Sequence, residues 1–233
     1  MRNRISSKKL LIFTLILGVL SCQNPFPEKE IRSYDRNVMI EYFTATWCTN
    51  CENITESLEE FEEERSDVVI VSYHPYGSDP LGTDVWIRKD SVYNIESFPT
   101  VIFDGIERFV GGGTSYSQII NAYDKNKSEK SPMKMDILTS GDTVFVNINT
   151  DEEREGYLHL LLLEDSLKSI GYDSIYNNVV RAETLFEVEL QVGINDFNLI
   201  LDMSKIIESS NGEVVSFFEE KGKILQSIKT ALY

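Results

Sequence analysis

Phe43-Thr44-Ala45-Thr46-Trp47-Cys48-Thr49-Asn50-Cys51 is the stretch from which the rest of the chain can be read. Val38-Met39-Ile40-Glu41-Tyr42-Phe43 leads into it and is rich in strand formers. Behind it, Ile54, Leu58 and Phe61 recur at helical spacing and predict a helix over 51–65. The two cysteines therefore fall where a strand ends and a helix begins. A helix N-terminus exposes unpaired N–H groups and roughly half a positive charge, which favours a thiolate at the first cysteine. Two intervening residues bring the second sulfur within bonding reach on the first turn. Cys48 is then the expected exposed nucleophile and Cys51 the more buried resolving thiol. A zinc site usually needs four ligands, and besides this pair the chain offers only His74 and His159, with no second cysteine pair. The reading calls for no metal and no other cofactor.

Outward from the motif, strand and helix signals alternate. The remaining face of the first helix carries Glu59, Glu60, Glu62, Glu63 and Glu64, read as a solvated surface. Val68-Val69-Ile70-Val71-Ser72-Tyr73 is a continuous apolar run, the pattern of a strand buried on both faces. The breaker-rich stretch 74–82 follows, then a helix expected over 84–94 with Asp84 as its N-cap. Thr100-Val101-Ile102-Phe103 reads as a strand turned by Asp104-Gly105. A strand over 106–110, three glycines and a helix over 116–125 complete an α/β unit. After the polar stretch 124–132 short strand candidates dominate, at 133–138, 143–148, 157–163, 184–190, 197–201 and 214–218. Residues 133–233 are expected to form an antiparallel β-sandwich, with 224–232 left open between strand and helix.

These motifs together resemble the thioredoxin superfamily. Tyr93-Asn94-Ile95-Glu96-Ser97-Phe98-Pro99-Thr100 is similar to that family's segment with a cis proline, and Phe103-Asp104-Gly105 and Val110-Gly111 match its later hairpin and glycine. The resemblance covers about residues 34–127. It implies a substrate groove in which Pro99 sits against the disulfide, the Phe98 backbone pairs with an extended substrate strand, Gly111 lets that strand approach, and Trp47 packs beside the motif. Thioredoxins carry a buried acid six residues before the first cysteine, whereas Tyr42 stands there in this chain. Glu41, one residue further back, is a candidate proton shuttle or else a solvent-facing side chain, because side chains alternate along a strand. Thr49-Asn50 matches neither the strong oxidases nor the reductases, so the direction of electron flow stays open. Short apolar segments, among them Leu161-Leu162-Leu163 and Val214-Val215, resemble thioredoxin-fold outer-membrane lipoproteins whose second domain is immunoglobulin-like.

The N-terminus points to the cell envelope. Arg2, Arg4, Lys8 and Lys9 precede an apolar run over 10–20 that is too short to span a bilayer core. Val19-Leu20-Ser21-Cys22 resembles the bacterial lipobox, which implies a signal peptide over 1–21, acylation of Cys22 and a tether over 22–33 to the first domain. With Cys22 acylated, Cys48 and Cys51 are the two thiols left, in a compartment where disulfides persist. A net charge of −16 is repelled by nucleic acid, so DNA or RNA partners are not expected. The expected protein is an envelope thiol–disulfide oxidoreductase, tethered to a membrane and acting on protein thiols or disulfides. A non-enzymatic lipoprotein binding module with a structural disulfide is the alternative. A third idea makes 74–82 a lid that selects one partner.

Overall fold

Every residue of β1 (Val38–Phe43) and β2 (Val68–Tyr73) is buried, because both faces of the sheet they share are covered. The computed structural model describes residues 32–169 and 174–232. β1 pairs in parallel with β2 and antiparallel with β3 (Thr100–Phe103), and β3 pairs with β4 (Glu107–Val110). One face packs Val38, Ile40, Tyr42 and Ile70 against Ile54, Leu58 and Phe61 of α1 (Glu52–Glu63) and Ile119 and Ala122 of α3 (Tyr116–Ser128). Ser115 starts α3 with a capping box, its hydroxyl accepting from the Gln118 amide while the Gln118 side chain accepts from the Ser115 amide. The opposite face presents Met39, Phe43, Val69, Val71 and Tyr73, and Val85 of α2 (Val85–Tyr93) packs there. Asp84 occupies the N-cap position of α2 but its side chain makes no capping bond, a departure from the expected cap.

The second half is a β-sandwich. β5 (Met133–Ser140), β6 (Thr143–Thr150) and β11 (Gly193–Ile200) form a three-stranded sheet in the order β11-β6-β5. It packs on β7 (Arg154–Glu164), β10 (Val179–Leu190), β12 (Gly212–Glu220) and β13 (Lys223–Ala231). The open question at 224–232 resolves as strand. β8 (Leu167–Lys168) and β9 (Ile175–Tyr176) make a small separate hairpin.

The two halves expected from the sequence share one sheet. Its order is β13-β12-β7-β10-β2-β1-β3-β4, joined where Val179 of β10 pairs with Ser72 of β2. The far strands fold back over the Met39–Phe43 face, where Leu161, Leu163, Val215, Phe217 and Ile224 enter the same core. Alternate residues of those strands, Leu158, Leu160, Leu162, Val214 and Phe218, face the three-stranded sheet. This is why β7 is apolar without interruption from Leu160 to Leu163: period-two alternation puts a side chain into a core on each side. Each such leucine contributes about 1.5–3 kcal/mol of burial. Residues 34–127 and 133–233 thus form a single compact unit rather than two separated bodies. Among the described residues no helix is long and apolar enough to cross a membrane. The expected signal segment, Cys22 and the tether up to residue 31 lie outside the described residues.

Candidate active site

At the end of β1 the chain turns through Thr44–Trp47 and enters a short 3-10 turn, Thr49–Cys51, that continues directly into α1. Cys48 stands at the N-cap of that turn, and its carbonyl accepts from the Cys51 amide at 3.1 Å. The two sulfurs are joined in a disulfide with Cα atoms 5.4 Å apart. Cys48 is half-buried and Cys51 is 2% exposed, so an incoming group meets Cys48 first. The helix start that follows aims its unpaired N–H groups toward this end of the motif.

Around the disulfide the structure collects most of the expected side chains. The Phe98–Pro99 peptide is cis, and the Pro99 carbonyl accepts from the Gly111 amide at 2.7 Å. Trp47 is 46% exposed and meets Phe98 edge-on at 5.6 Å, and its indole N–H donates to the Ser78 carbonyl at 3.1 Å. Trp47, Cys48, Thr49, Asn50, Ile95 and Phe98 are among the residues lining an open groove of about 430 Å³. Gly111 has φ +90°, a backbone conformation that side chains resist, yet a Cβ there would meet nothing within 4 Å. Gly112 lets the motif itself come close, since an added Cβ there would lie 2.9 Å from the Asn50 carbonyl oxygen.

Glu41 does not belong to this site. Strand alternation puts it on the Met39–Phe43 face, opposite Tyr42 and Cys51, yet it is fully buried rather than solvent-facing. Lys89 Nζ donates to it at 2.7 Å and the Tyr93 hydroxyl donates to its other oxygen. Tyr42 takes the place behind the disulfide, its hydroxyl donating to the Cys51 carbonyl at 3.0 Å and lying 3.0 Å from Thr55 Oγ1. Burial raises the Tyr42 phenol above its ordinary value, so it stays protonated.

Loop 74–82 supplies parts of the site that the sequence reading left out. Asp79 is buried and accepts from the Thr46 amide at 2.5 Å and the Leu81 amide at 2.9 Å, with His74 Nδ1 3.2 Å away. Burial alone would raise the Asp79 carboxyl; His74 and the two amides outweigh it and hold it below the usual range. The loop is fixed to the Thr46–Trp47 turn at both Asp79 and Ser78, and Leu81 joins a small core with Leu167 and Val179. A hinged lid does not fit these contacts. Nor is the acidic face of α1 wholly solvated: Glu59 accepts from Asn177 at 2.9 Å, and Glu62 from Asn178 and Lys229, each at 2.7 Å. These contacts tie α1 to the second half.

Residues 19–125 match the family model described as Thioredoxin. A crystal structure of a protein from Agrobacterium tumefaciens superposes with a TM-score of 0.64 at 16% identity, covering 86% of this chain and 96% of that one. At that identity the likeness is one of fold, and it extends across both halves. Oxidised mitochondrial thioredoxin 3 from Saccharomyces cerevisiae matches 39% of this chain and 79% of its own, at 18% identity and a TM-score of 0.31. No curated protein sequence matches the chain. The first half is a thioredoxin-like domain bearing a Cys-x-x-Cys disulfide, and a β-sandwich follows it.

Proposed function

We propose that this chain is a thiol–disulfide oxidoreductase of the bacterial envelope that exchanges disulfides with protein substrates through Cys48 and Cys51. The observation that carries the reading is the disulfide itself, with a half-buried first sulfur at a helix start and a buried second sulfur. In the reducing direction the Cys48 thiolate attacks a substrate disulfide, forming a mixed disulfide and expelling one substrate thiolate. Cys51, deprotonated, then attacks Cys48 Sγ, closing the internal disulfide and releasing the second substrate thiolate. Two electrons pass from the pair to the substrate; the reverse sequence oxidises a substrate dithiol. The groove along Trp47 and Phe98 accommodates an extended substrate segment beside Cys48.

The test is the titration of Cys48 in the reduced protein, followed by the pH dependence of its alkylation. The helix start should bring its midpoint clearly below the value of about 8.5 for a free thiol. A midpoint at or above that value removes the electrostatic basis of the proposal.

The envelope location rests on the sequence from Arg2 to Cys22 and on the acidic charge of the remainder. Cells fed a radiolabelled fatty acid should label the wild-type chain and leave Cys22→Ala unlabelled; equal labelling of the two would refute an anchor at Cys22.

A further inference from the structure

Each turn of the exchange requires Cys51 to lose a proton before it can attack Cys48 Sγ. Cys51 is 2% exposed and packs among apolar side chains, an environment that disfavours a thiolate and limits access of solvent base. Glu41, the carboxylate nearest to the motif along β1, lies on the other face of the sheet and is taken up by Lys89 and Tyr93. A proton acceptor must come from elsewhere.

His74 leaves the end of β2 on the same face as Tyr42 and Ser72 and is 3% exposed. Its Nδ1 lies 3.2 Å from Asp79 Oδ1 without hydrogen-bond geometry, and the neighbouring carboxylate favours the tautomer with the proton on Nδ1, leaving Nε2 as acceptor. Nε2 has no hydrogen-bond partner among the described residues. A buried imidazole nitrogen without a partner costs free energy, so a water or a function is to be expected beside it. The ring borders a cavity of about 20 Å³ lined also by Tyr42, Thr44, Thr55, Ser72 and Tyr176, with room for about one water. Thr44, Thr55, Glu59 and Tyr176 also line the groove that opens on Cys48 and Cys51. Tyr42 and Thr55 line this cavity, and the hydroxyls of both donate to the Cys51 carbonyl.

We propose that His74, oriented by Asp79, accepts the Cys51 proton through a water in this cavity and the Thr55 hydroxyl, and returns it when the exchange runs backwards. The inference rests on the oxidoreductase reading. In the forward step the Cys51 S–H bond breaks and its proton passes along the chain of hydroxyl and water to Nε2. The Cys51 sulfur bonds to Cys48 Sγ while the bond from Cys48 to the substrate sulfur breaks, and the departing thiolate takes a proton from solvent. The other titratable groups around the ring are Asp79 from its own loop, Tyr42 from β1, Glu59 and Glu62 from α1, and Tyr176 from β9. Glu62 is itself paired with Lys229 of β13. His74 acts through other groups on the reacting sulfur and is a positioning and relay residue.

Ellman's reagent separates this inference from the reading it rests on. The reduced full-length chain carrying Cys22→Ala, which leaves only the two motif thiols, releases one thionitrobenzoate when Cys48 attacks and a second when Cys51 closes the disulfide. His74→Gln should leave the first release unchanged. The second should slow about ten- to a hundredfold at pH 7, with its pH–rate midpoint moved upward and its solvent deuterium isotope effect altered. Thr55→Val, which removes the intermediate hydroxyl, should slow the same step and serves if His74→Gln does not fold. A second release with unchanged rate and pH profile in a folded variant overturns the relay and leaves His74 a structural partner of Asp79. Absence of the first release in the wild type would instead count against the oxidoreductase itself.

Discussion

Cys51→Ser should accumulate as covalent adducts with other proteins through Cys48, adducts that thiol reductant releases and that Cys48→Ser/Cys51→Ser lacks. In the wild type the mixed disulfide is short-lived because Cys51, three residues away and already held at bonding distance, attacks as an intramolecular nucleophile. A serine hydroxyl cannot displace a thiolate at neutral pH, so the intermediate should persist at least about a thousandfold longer. Multiple-turnover reduction of a disulfide substrate should fall to background in Cys48→Ser and in Cys51→Ser alike. The stability cost of either change to the reduced chain should be small, since among the described residues no metal-binding cluster includes the pair. Purification of Cys51→Ser from its native envelope without any adduct would mean that Cys48 does not engage protein partners.

Glu183→Ala should cost about 3–5 kcal/mol of stability, the largest loss expected from a single carboxylate in this chain. The Glu183 side chain on β10 is fully buried between Arg88, His159 Nδ1 at 2.6 Å and Lys89 Nζ at 3.9 Å. Lys89 also holds Glu41 at 2.7 Å, and His159 Nε2 faces Glu219 of β12 at 3.3 Å while its ring stacks on Phe217. The cluster therefore joins β1 and α2 of the first half to β7, β10 and β12 of the second. Deleting one anion strands buried cations, whereas Glu183→Gln keeps hydrogen-bonding capacity and should cost less. Burial alone would raise the Glu183 carboxyl, but Lys89, His159 and Arg88 outweigh it and hold it at about 2. A depressed folded-state value contributes stability that is fully present above the unfolded value of about 4.5 and is lost as pH falls toward 2. Denaturant midpoints of wild type and Glu183→Gln should accordingly differ most above about pH 5 and converge in acid. A gap under about 1 kcal/mol for Glu183→Ala, or one indifferent to pH, would show that the cluster does not hold the halves together.

The readable parts of this molecule are those set by local pattern. The strand 68–73 follows from its continuous apolar run, the 100–103 strand from its Asp-Gly turn, and α1 with Ile54, Leu58 and Phe61 inward from a periodicity of 3.6. The cysteine motif lies where the strand-to-helix reading puts it. Glu41 could not be assigned from sequence because its face depends on which residue of β1 meets Cys51, a tertiary fact. Asp79 and His74 were hidden because a breaker-rich loop carries no periodicity, and their importance comes from a bond to the Thr46 amide across 33 positions. The shared eight-stranded sheet was hidden for the same reason: one bridge, Val179 to Ser72, joins segments more than a hundred residues apart. The uninterrupted run from Leu160 to Leu163 was the available signal, since a strand apolar on both faces needs a second layer to cover it.

The reduction potential of the Cys48–Cys51 pair, read by equilibrating the purified chain in defined ratios of oxidised and reduced thiol, bears most directly on whether this disulfide works or merely holds. A working pair should equilibrate between about −120 and −270 mV, the span covered by thioredoxin-fold oxidants and reductants. A value below about −300 mV, where static disulfides lie, would contradict the account.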